Sequence, residues 1–587
     1  MTVLRFLGLP AAVRRLISVL ATLIILTLSP FASFTTQEEA SRYMLPGDEA
    51  FSAEAGGVWT VGFAKAVLTP DDVGETAYYI AGYNSNNPAE GVLDDMYARA
   101  AYLDDNTGRG GVVLCAIDCV GLSRHDINDI RALVIESGKI PGLKSVNVCA
   151  THTHSAIDTQ GLWGRSYVSD GKDSEFQNSL KEKAAAAIVA AYEARADGTL
   201  YYGTADISEK LADTRTPIDF DPLLTRIRFA PADGGKELYI VNMSCHPELL
   251  GRGTKNVSAD FPAYMGREIE ARTGGEFIFI NGAIGGQISS DRIDDVLKDP
   301  ELDCEAYMKQ YGKEIGEIVL SVADETQIAP LVNIRSQALS IGCENTIFKL
   351  GKTIGILTND IEKRKFTADM NVLTEISYLE LGERQIGMFL IPGELYSEFY
   401  SGNFLPAEES ANGFAAEYKP LREMTDCEHS FVVGLCNDAL GYIIPDNDFL
   451  NNEWLGFFDI CKDQFGRTHY EETNSVGPNE ARVIIDAMDA LTASVRKRNM
   501  IKISGTGFGS RRFFRLRRRA RTERRGFRIN RRRSAQCNDI ELRRDAQGPS
   551  RVGGCDLSVT VAVCREENDS IERFKPRRGP EDDARVL

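Results

Sequence analysis

Two of the six histidines in this 587-residue chain stand one residue apart, in Thr151-His152-Thr153-His154-Ser155. Imidazole carries protons near neutral pH and is a nitrogen ligand for zinc. The run before the triplet, Ser145 to Ala150, is bounded by turn-forming residues and holds two valines, which predicts a short buried strand. Side chains alternate with period 2 at a strand end, so both imidazoles are expected to leave the backbone on one side and enter one cleft. Two convergent nitrogen donors suit a zinc ion, although the triplet would serve equally as a hydrogen-bonded pair of histidines on a solvated loop.

The elements that would hold such a cleft alternate along the chain. Gly111 to Asp118 reads as a buried strand and Ser123 to Ser137 as a helix. Ser174 to Ala196, Ala-rich with Gly198 just beyond, reads as a second helix. Tyr239 to Met243 is strand-like, Asp260-Phe261-Pro262 opens a helix that stops before Gly274-Gly275, and Phe277 to Ile280 runs into a glycine-rich loop. The alternation predicts an α/β fold, a single large catalytic domain over residues 55–500 with mixed β-sheets flanked by helices. Cys115 and Cys119 fall in or just after a strand, so core packing suits them better than ligation, and none of the twelve cysteines shows a paired zinc spacing.

Composition, 43% hydrophobic and 26% charged, is that of a globular protein, and a net charge of −18 argues against a nucleic-acid partner. Residues 1–33 read as a signal peptide: Arg5, Arg14 and Arg15 precede apolar Leu16 to Leu28, with small residues near Ala32 and Ser33. Secretion is the expected fate. An uncleaved membrane anchor is the alternative, although this mostly apolar stretch of thirteen residues falls short of a span, which needs about 20. Composition changes again near residue 500. Residues 501–587 hold 23 Lys+Arg against 12 Asp+Glu, a net of +11 beside −29 for the rest. An arginine-rich segment without apolar period predicts a disordered tail, and a shift this abrupt is also what a reading-frame artefact would leave.

The triplet resembles the THTHS signature of the neutral, non-lysosomal ceramidases, zinc amidohydrolases that cleave the N-acyl bond of ceramides. Four further segments resemble that family in the same order: Asp213 to Pro217, Ser244 to Pro247, Asn281 to Ser289, and Pro392-Gly393-Glu394 followed by Asn437 to Tyr442. Together they cover about residues 58–480. The resemblance implies a zinc site held by His152, His246, Glu394 and Tyr442, with the metal activating a water. It implies His154 as the proton shuttle, Arg215 as a holder of a polar substrate group or oxyanion, and Ser289 and Tyr442 beside the reacting centre. On their own residues these positions stay open. His246, followed by Pro247, also reads as a packed histidine, and Glu394 as a carboxylate at a helix start. Tyr442 reads equally as a core aromatic on a strand, and Arg215 as a surface ion pair with Asp213 or Asp219. Gly282 to Gly286 would line the cleft with backbone N–H groups or simply turn the chain.

The chain departs from the family in three places. Gln287 stands where the family usually has aspartate, which weakens a nucleophile role for Ser289, and the Gly-x-Ser-x-Gly elbow of serine hydrolases is absent. Ala156-Ile157-Asp158 replaces the family's Gly-Pro-Gly after the histidines, so Asp158 is expected either to orient a ligand histidine or to place a carboxylate at the mouth, with Trp163 flanking an acyl chain. The strand pattern of the family's immunoglobulin-like companion domain is missing, which puts peripheral membrane contact in doubt and favours short or soluble substrates over long-chain ceramide. Three functions fit: a ceramidase-type zinc amidohydrolase acting on an N-acyl lipid, another exported zinc hydrolase of the same fold acting on a different amide or ester, and a secreted binding protein that kept the fold.

Overall fold

A computed structural model describes residues 11–28, 34–166, 169–363, 369–452 and 456–504. The expected arginine-rich tail and the expected signal cleavage region around Ala32 lie outside the described residues. The apolar stretch Leu16 to Leu28 lies within a helix, Ala11–Leu28, packed on the short helix Thr346–Thr353. Among the described residues no helix is long and apolar enough to cross a membrane.

Two mixed sheets form the body. The larger has nine strands, ordered Glu276–Asn281, Leu238–Met243, Leu223–Pro231, Ala196–Asp206, Trp59–Val67, Tyr97–Asp104, Val112–Ile117 and Ser145–Ala150, with Thr326–Ile328 also paired to Ala196–Asp206. Its two edge pairs are parallel and the pairs between them antiparallel. The smaller orders Val332–Cys343, Met370–Leu381, Ile386–Leu390 and His429–Val433, the last two parallel.

Period-2 alternation divides each strand between two cores. Ala101, Leu103, Leu114, Ile240 and Ile278 face Ile334, Leu379, Met388 and Val433, so the two sheets pack on one another. The intervening residues Ala100, Tyr102, Val113 and Cys115 face the helices Arg124–Glu136 and Ser174–Glu193. Tyr239, Val241 and Phe279 are covered by Phe261–Thr273 and Cys304–Ser321. Ile341, Val372 and Ile376 are covered by Glu480–Ser504. The expected α/β class with mixed sheets and flanking helices is therefore the architecture found.

One boundary differs. The helix expected over residues 174–196 ends at Glu193, and Ala196 already belongs to a strand in which Asp197 and Gly198 pair with Thr60 and Trp59. Gly198 is thus no helix stop. A Cβ there would meet Ala230 O at 2.3 Å and the Phe229 ring at 2.5 Å, so its small size serves sheet packing. The Asp260 reading holds: its side chain accepts from Phe261 N, Pro262 sits in the first turn, and Gly274 ends the helix with φ +71°.

Candidate active site

Six strands deliver the site from their carboxyl ends: Val112–Ile117, Ser145–Ala150, Leu238–Met243, Glu276–Asn281, Ile386–Leu390 and His429–Val433. This is where open α/β sheets place ligands. Three ties fix the loops to one another. Buried Asn281 donates to Thr151 O (3.0 Å) and Cys245 O (3.1 Å), so one amide holds both histidine loops. His154 N donates to Pro247 O at 2.9 Å. Asn437, left-handed at φ +65°, accepts from Val148 N at 3.0 Å and donates to Asn147 Oδ1 at 3.1 Å, and the backbones of Cys149 and Cys436, both free thiols, pair in an isolated antiparallel bridge. These contacts stitch the larger sheet to the smaller at the cleft.

The triplet reaches the cleft by another route than the pleat. The strand ends at Ala150, and His152 sits in the left-handed region at φ +67°. A turn rather than strand alternation therefore aims the two rings, whose centroids lie 4.9 Å apart. His152 Nδ1 lies 2.6 Å from Val120 O and His246 Nδ1 2.7 Å from Ile288 O. A carbonyl only accepts, so each Nδ1 carries the hydrogen, and in the neutral ring Nε2 keeps a lone pair. Both Nε2 atoms approach Glu394 Oε2, at 3.5 and 3.4 Å. That oxygen is buried and has no hydrogen-bond partner.

Lone pairs and a carboxylate oxygen facing one another in a buried space are relieved by a cation. The spacing agrees: bonds of about 2.1 Å at tetrahedral angles put zinc ligands about 3.4 Å apart. The ring nitrogens of His152, His154 and His246 lie within 4.8 Å of one another, so this group could hold a metal. Tyr442 pairs with Glu394 in a two-residue parallel ladder, and its hydroxyl accepts from Gln287 Nε2 at 2.9 Å. The residue that departs from the resemblance therefore orients the tyrosine.

Electrostatics follow from burial. Burial would raise Glu394, but the positive charge that His152 and His246 bring in their protonated forms, where a cation is absent, outweighs it and holds the carboxyl below its usual range. Burial, followed by the charges of His152 and His246, pushes His154 well below the ordinary histidine value. Tyr442 is pushed well above the usual phenol value, by burial first and Glu394 second, and stays protonated.

The centre opens into a cavity of about 830 Å³, within the range of about 300–1,000 Å³ that small-molecule sites occupy. One wall is ionic, with Arg215, Asp448, His469 and Glu471; the other is apolar, with Trp163, Ile347, Phe348, Leu350 and Leu357. Trp163 thus contributes an aromatic surface to the cavity.

Four expected placements change. Arg215 lines the cavity, but Nη1 donates to Glu398 Oε1 (3.0 Å), Nη2 to Asp448, and the guanidinium stacks 4.2 Å over Tyr396. The side chains of Asp213 and Asp219 are not its ion-pair partners. Asp158 neither orients a histidine nor reaches the mouth. It is fully buried, and its oxygens accept from the backbone N–H groups of Gln160, Gly161 and Trp163 at 2.8, 2.8 and 2.9 Å, which shapes the loop that carries Trp163. Ser289 is buried in a strand paired to Leu211–Asp213, its hydroxyl without a partner, and does not line the cavity. Gly282 and Gly285 do not line it either. They allow close approach, since Cβ atoms there would meet Ser244 Oγ at 2.3 Å and Glu394 O at 2.4 Å.

Glu248 and Tyr83 also line the cavity beside His154. Nothing in sequence singled them out beyond the place of Glu248 two residues after His246.

Fold and site together describe a layered α/β protein with a histidine and carboxylate centre at the strand ends. Compared with models of protein families and with curated proteins, the sequence matches none. Among solved structures the chain is similar to the neutral ceramidase from Pseudomonas aeruginosa, with 15% identity, 77% of this chain and 75% of that chain covered, and a TM-score of 0.56. It is also similar to a ceramidase complexed with C2, with 13% identity, coverage of 75% and 76%, and a TM-score of 0.58. The chain therefore has the fold of the solved neutral ceramidases.

Proposed function

We propose that the chain is a zinc-dependent hydrolase that cleaves the N-acyl amide bond of ceramide or a related N-acyl lipid, and that it acts outside the cytoplasm. The observation that carries this is the convergence of His152 Nε2 and His246 Nε2 on Glu394 Oε2, at 3.5 and 3.4 Å, in the cavity. These three, with Tyr442 as the additional oxygen donor, would hold the metal. Zinc, when bound, would supply a Lewis acid and a water of lowered pKa.

The chain's own residues do the rest. His154, whose charged form burial disfavours, takes a proton as water attacks the amide carbon and returns it to the leaving amine nitrogen. Tyr442 keeps its hydrogen, and its oxygen, oriented by Gln287, would offer its remaining lone pair to the metal. Arg215, locked by Glu398 and Asp448, contributes a positive potential to the ionic wall. The apolar wall receives the acyl chain, and each buried methylene adds about 0.8 kcal/mol.

Two measurements test this reading. A chelator-free preparation should carry about one zinc per chain. Product analysis by mass spectrometry on N-acyl lipids and N-acyl amino acids should show amide cleavage. Within an acyl series in one detergent, kcat/KM should rise about fifteenfold for every two methylenes the apolar lining covers, about 1.6 kcal/mol, which reverses the preference for short substrates expected from the altered loop. Zinc well below one per chain after reconstitution would remove the metal site. Release of acid from esters but from no amide would select the other hydrolase, and zinc without turnover a binding protein.

A further inference from the structure

His154 is the one member of the histidine cluster whose Nδ1 has no carbonyl to hold it. That nitrogen is buried without a hydrogen-bond partner. The nearest carboxylate oxygen is Glu248 Oε2, at 3.7 Å. The same oxygen accepts a hydrogen bond from the Tyr83 hydroxyl, and the Tyr83 ring packs edge-on against the His154 ring, with centroids 5.0 Å apart and planes at 80°. Beneath the ring, Gly82 comes so close that a Cβ on it would meet His154 Cβ at 2.5 Å. Tyr83 and Glu248 are 165 residues apart in sequence, and the Pro247 carbonyl beside Glu248 receives the His154 backbone N–H. The histidine is thus enclosed by glycine below, an aromatic edge beside it and a tethered carboxylate opposite Nδ1.

We propose that Glu248, held by Tyr83, is the positioning residue for His154. It accepts the Nδ1 hydrogen once the cleft closes on substrate and so leaves Nε2 as the nitrogen that takes and returns the proton. The inference rests on the hydrolytic reading above and deepens it. A separation of 3.7 Å is longer than a hydrogen bond, as is common for catalytic pairs in ligand-free sites, which tighten around substrate. The arrangement repeats for His154 what Val120 O and Ile288 O do for its neighbours, with a carboxylate in place of a carbonyl. A carboxylate acceptor also stabilises the imidazolium that forms midway through a proton transfer, which a backbone carbonyl does less well.

The test uses two variants and a spectroscopic readout. Glu248→Gln should lower kcat roughly tenfold to a hundredfold, with KM and zinc content near wild type, as loss of a carboxylate behind a site histidine does. Tyr83→Phe keeps the ring and removes only the tether, so its loss should be smaller and in the same direction. In zinc-loaded protein labelled with ¹⁵N-histidine, six imidazoles are few enough to assign, with His154→Asn identifying the one in question. With a non-cleavable amide analogue bound, His154 should be in the Nδ1–H form, and Glu248→Leu should shift it toward Nε2–H.

An Nε2–H form in the wild type, or an unchanged tautomer in Glu248→Leu, would overturn the proposal. So would a Glu248→Gln protein whose KM rises while kcat holds, which would make Glu248 a substrate-binding group. If the chain cleaved no acyl compound at all, the hydrolytic reading would fail, while the tautomer measurement would still decide the relation of Glu248 to His154.

Discussion

Replacing His152 or His246 with alanine should remove bound zinc and hydrolysis together, by about a thousandfold or more, because the Lewis acid contributes several kcal/mol and each 1.4 kcal/mol is tenfold. Both Nε2 atoms point at Glu394. The left-handed backbone at His152 complicates alanine there, so His152→Asn, a residue that tolerates φ near +67°, is the better-matched variant. His154→Ala should behave differently, keeping zinc and slowing turnover about a hundredfold. Metal analysis beside kcat separates the two classes. Zinc lost from His154→Ala and kept in His152→Asn would reverse the assigned roles.

The second large effect is on stability. Glu375, 1% exposed, accepts from Arg124 Nε at 3.2 Å and from Arg131 Nη1 and Nη2 at 3.0 and 2.7 Å, and both arginines are buried. The three tie the helix Arg124–Glu136, which covers the larger sheet, to the strand Met370–Leu381 of the smaller. Removing the carboxylate strands two buried cations, and Glu375→Ala should cost about 3–5 kcal/mol in denaturant unfolding. A loss below about 1 kcal/mol would mean that water or a neighbouring acid takes its place. Burial alone would raise this carboxyl, but Arg131 and then Arg124 more than offset that, so its native value lies below the unfolded one. Its contribution is therefore present above the ordinary carboxylate range and is lost as pH falls through the lowered native value. The gap between wild type and Glu375→Gln should narrow on acidification.

What sequence revealed and what it hid divide along chain distance. Ser145–Ala150, the capped Phe261–Thr273 helix and the strand ahead of His246 follow from local pattern, and they carry the triplet and His246 to the cleft. Where pairing is remote, local signals mislead. Ala196, Asp197 and Gly198 look like the end of a helix but are claimed by a strand more than 130 residues earlier. Arg215 sits beside Asp213, yet it pairs with Glu398 and Asp448, 183 and 233 residues away. Asp158 has chemistry that would suit a metal site, and only the backbone N–H groups curled around it reveal a structural task. Glu248 and Tyr83 carry no local signature, because their relation exists only after folding.

The stitching of one sheet to the other at Cys149 and Asn437 has a consequence beyond geometry. His152 and His246 lie just beyond strands of the larger sheet, and Glu394 just beyond the strand Ile386–Leu390 of the smaller, so a cation shared among them would act as a clasp across the seam. Whatever binds there favours the joined halves over the parted ones, by about 2.7 kcal/mol at a hundredfold excess over its dissociation constant. Under the proposed zinc reading, supply of the ion and survival at high temperature would become a single variable, and a protein starved of it should unfold at a lower temperature than the loaded one.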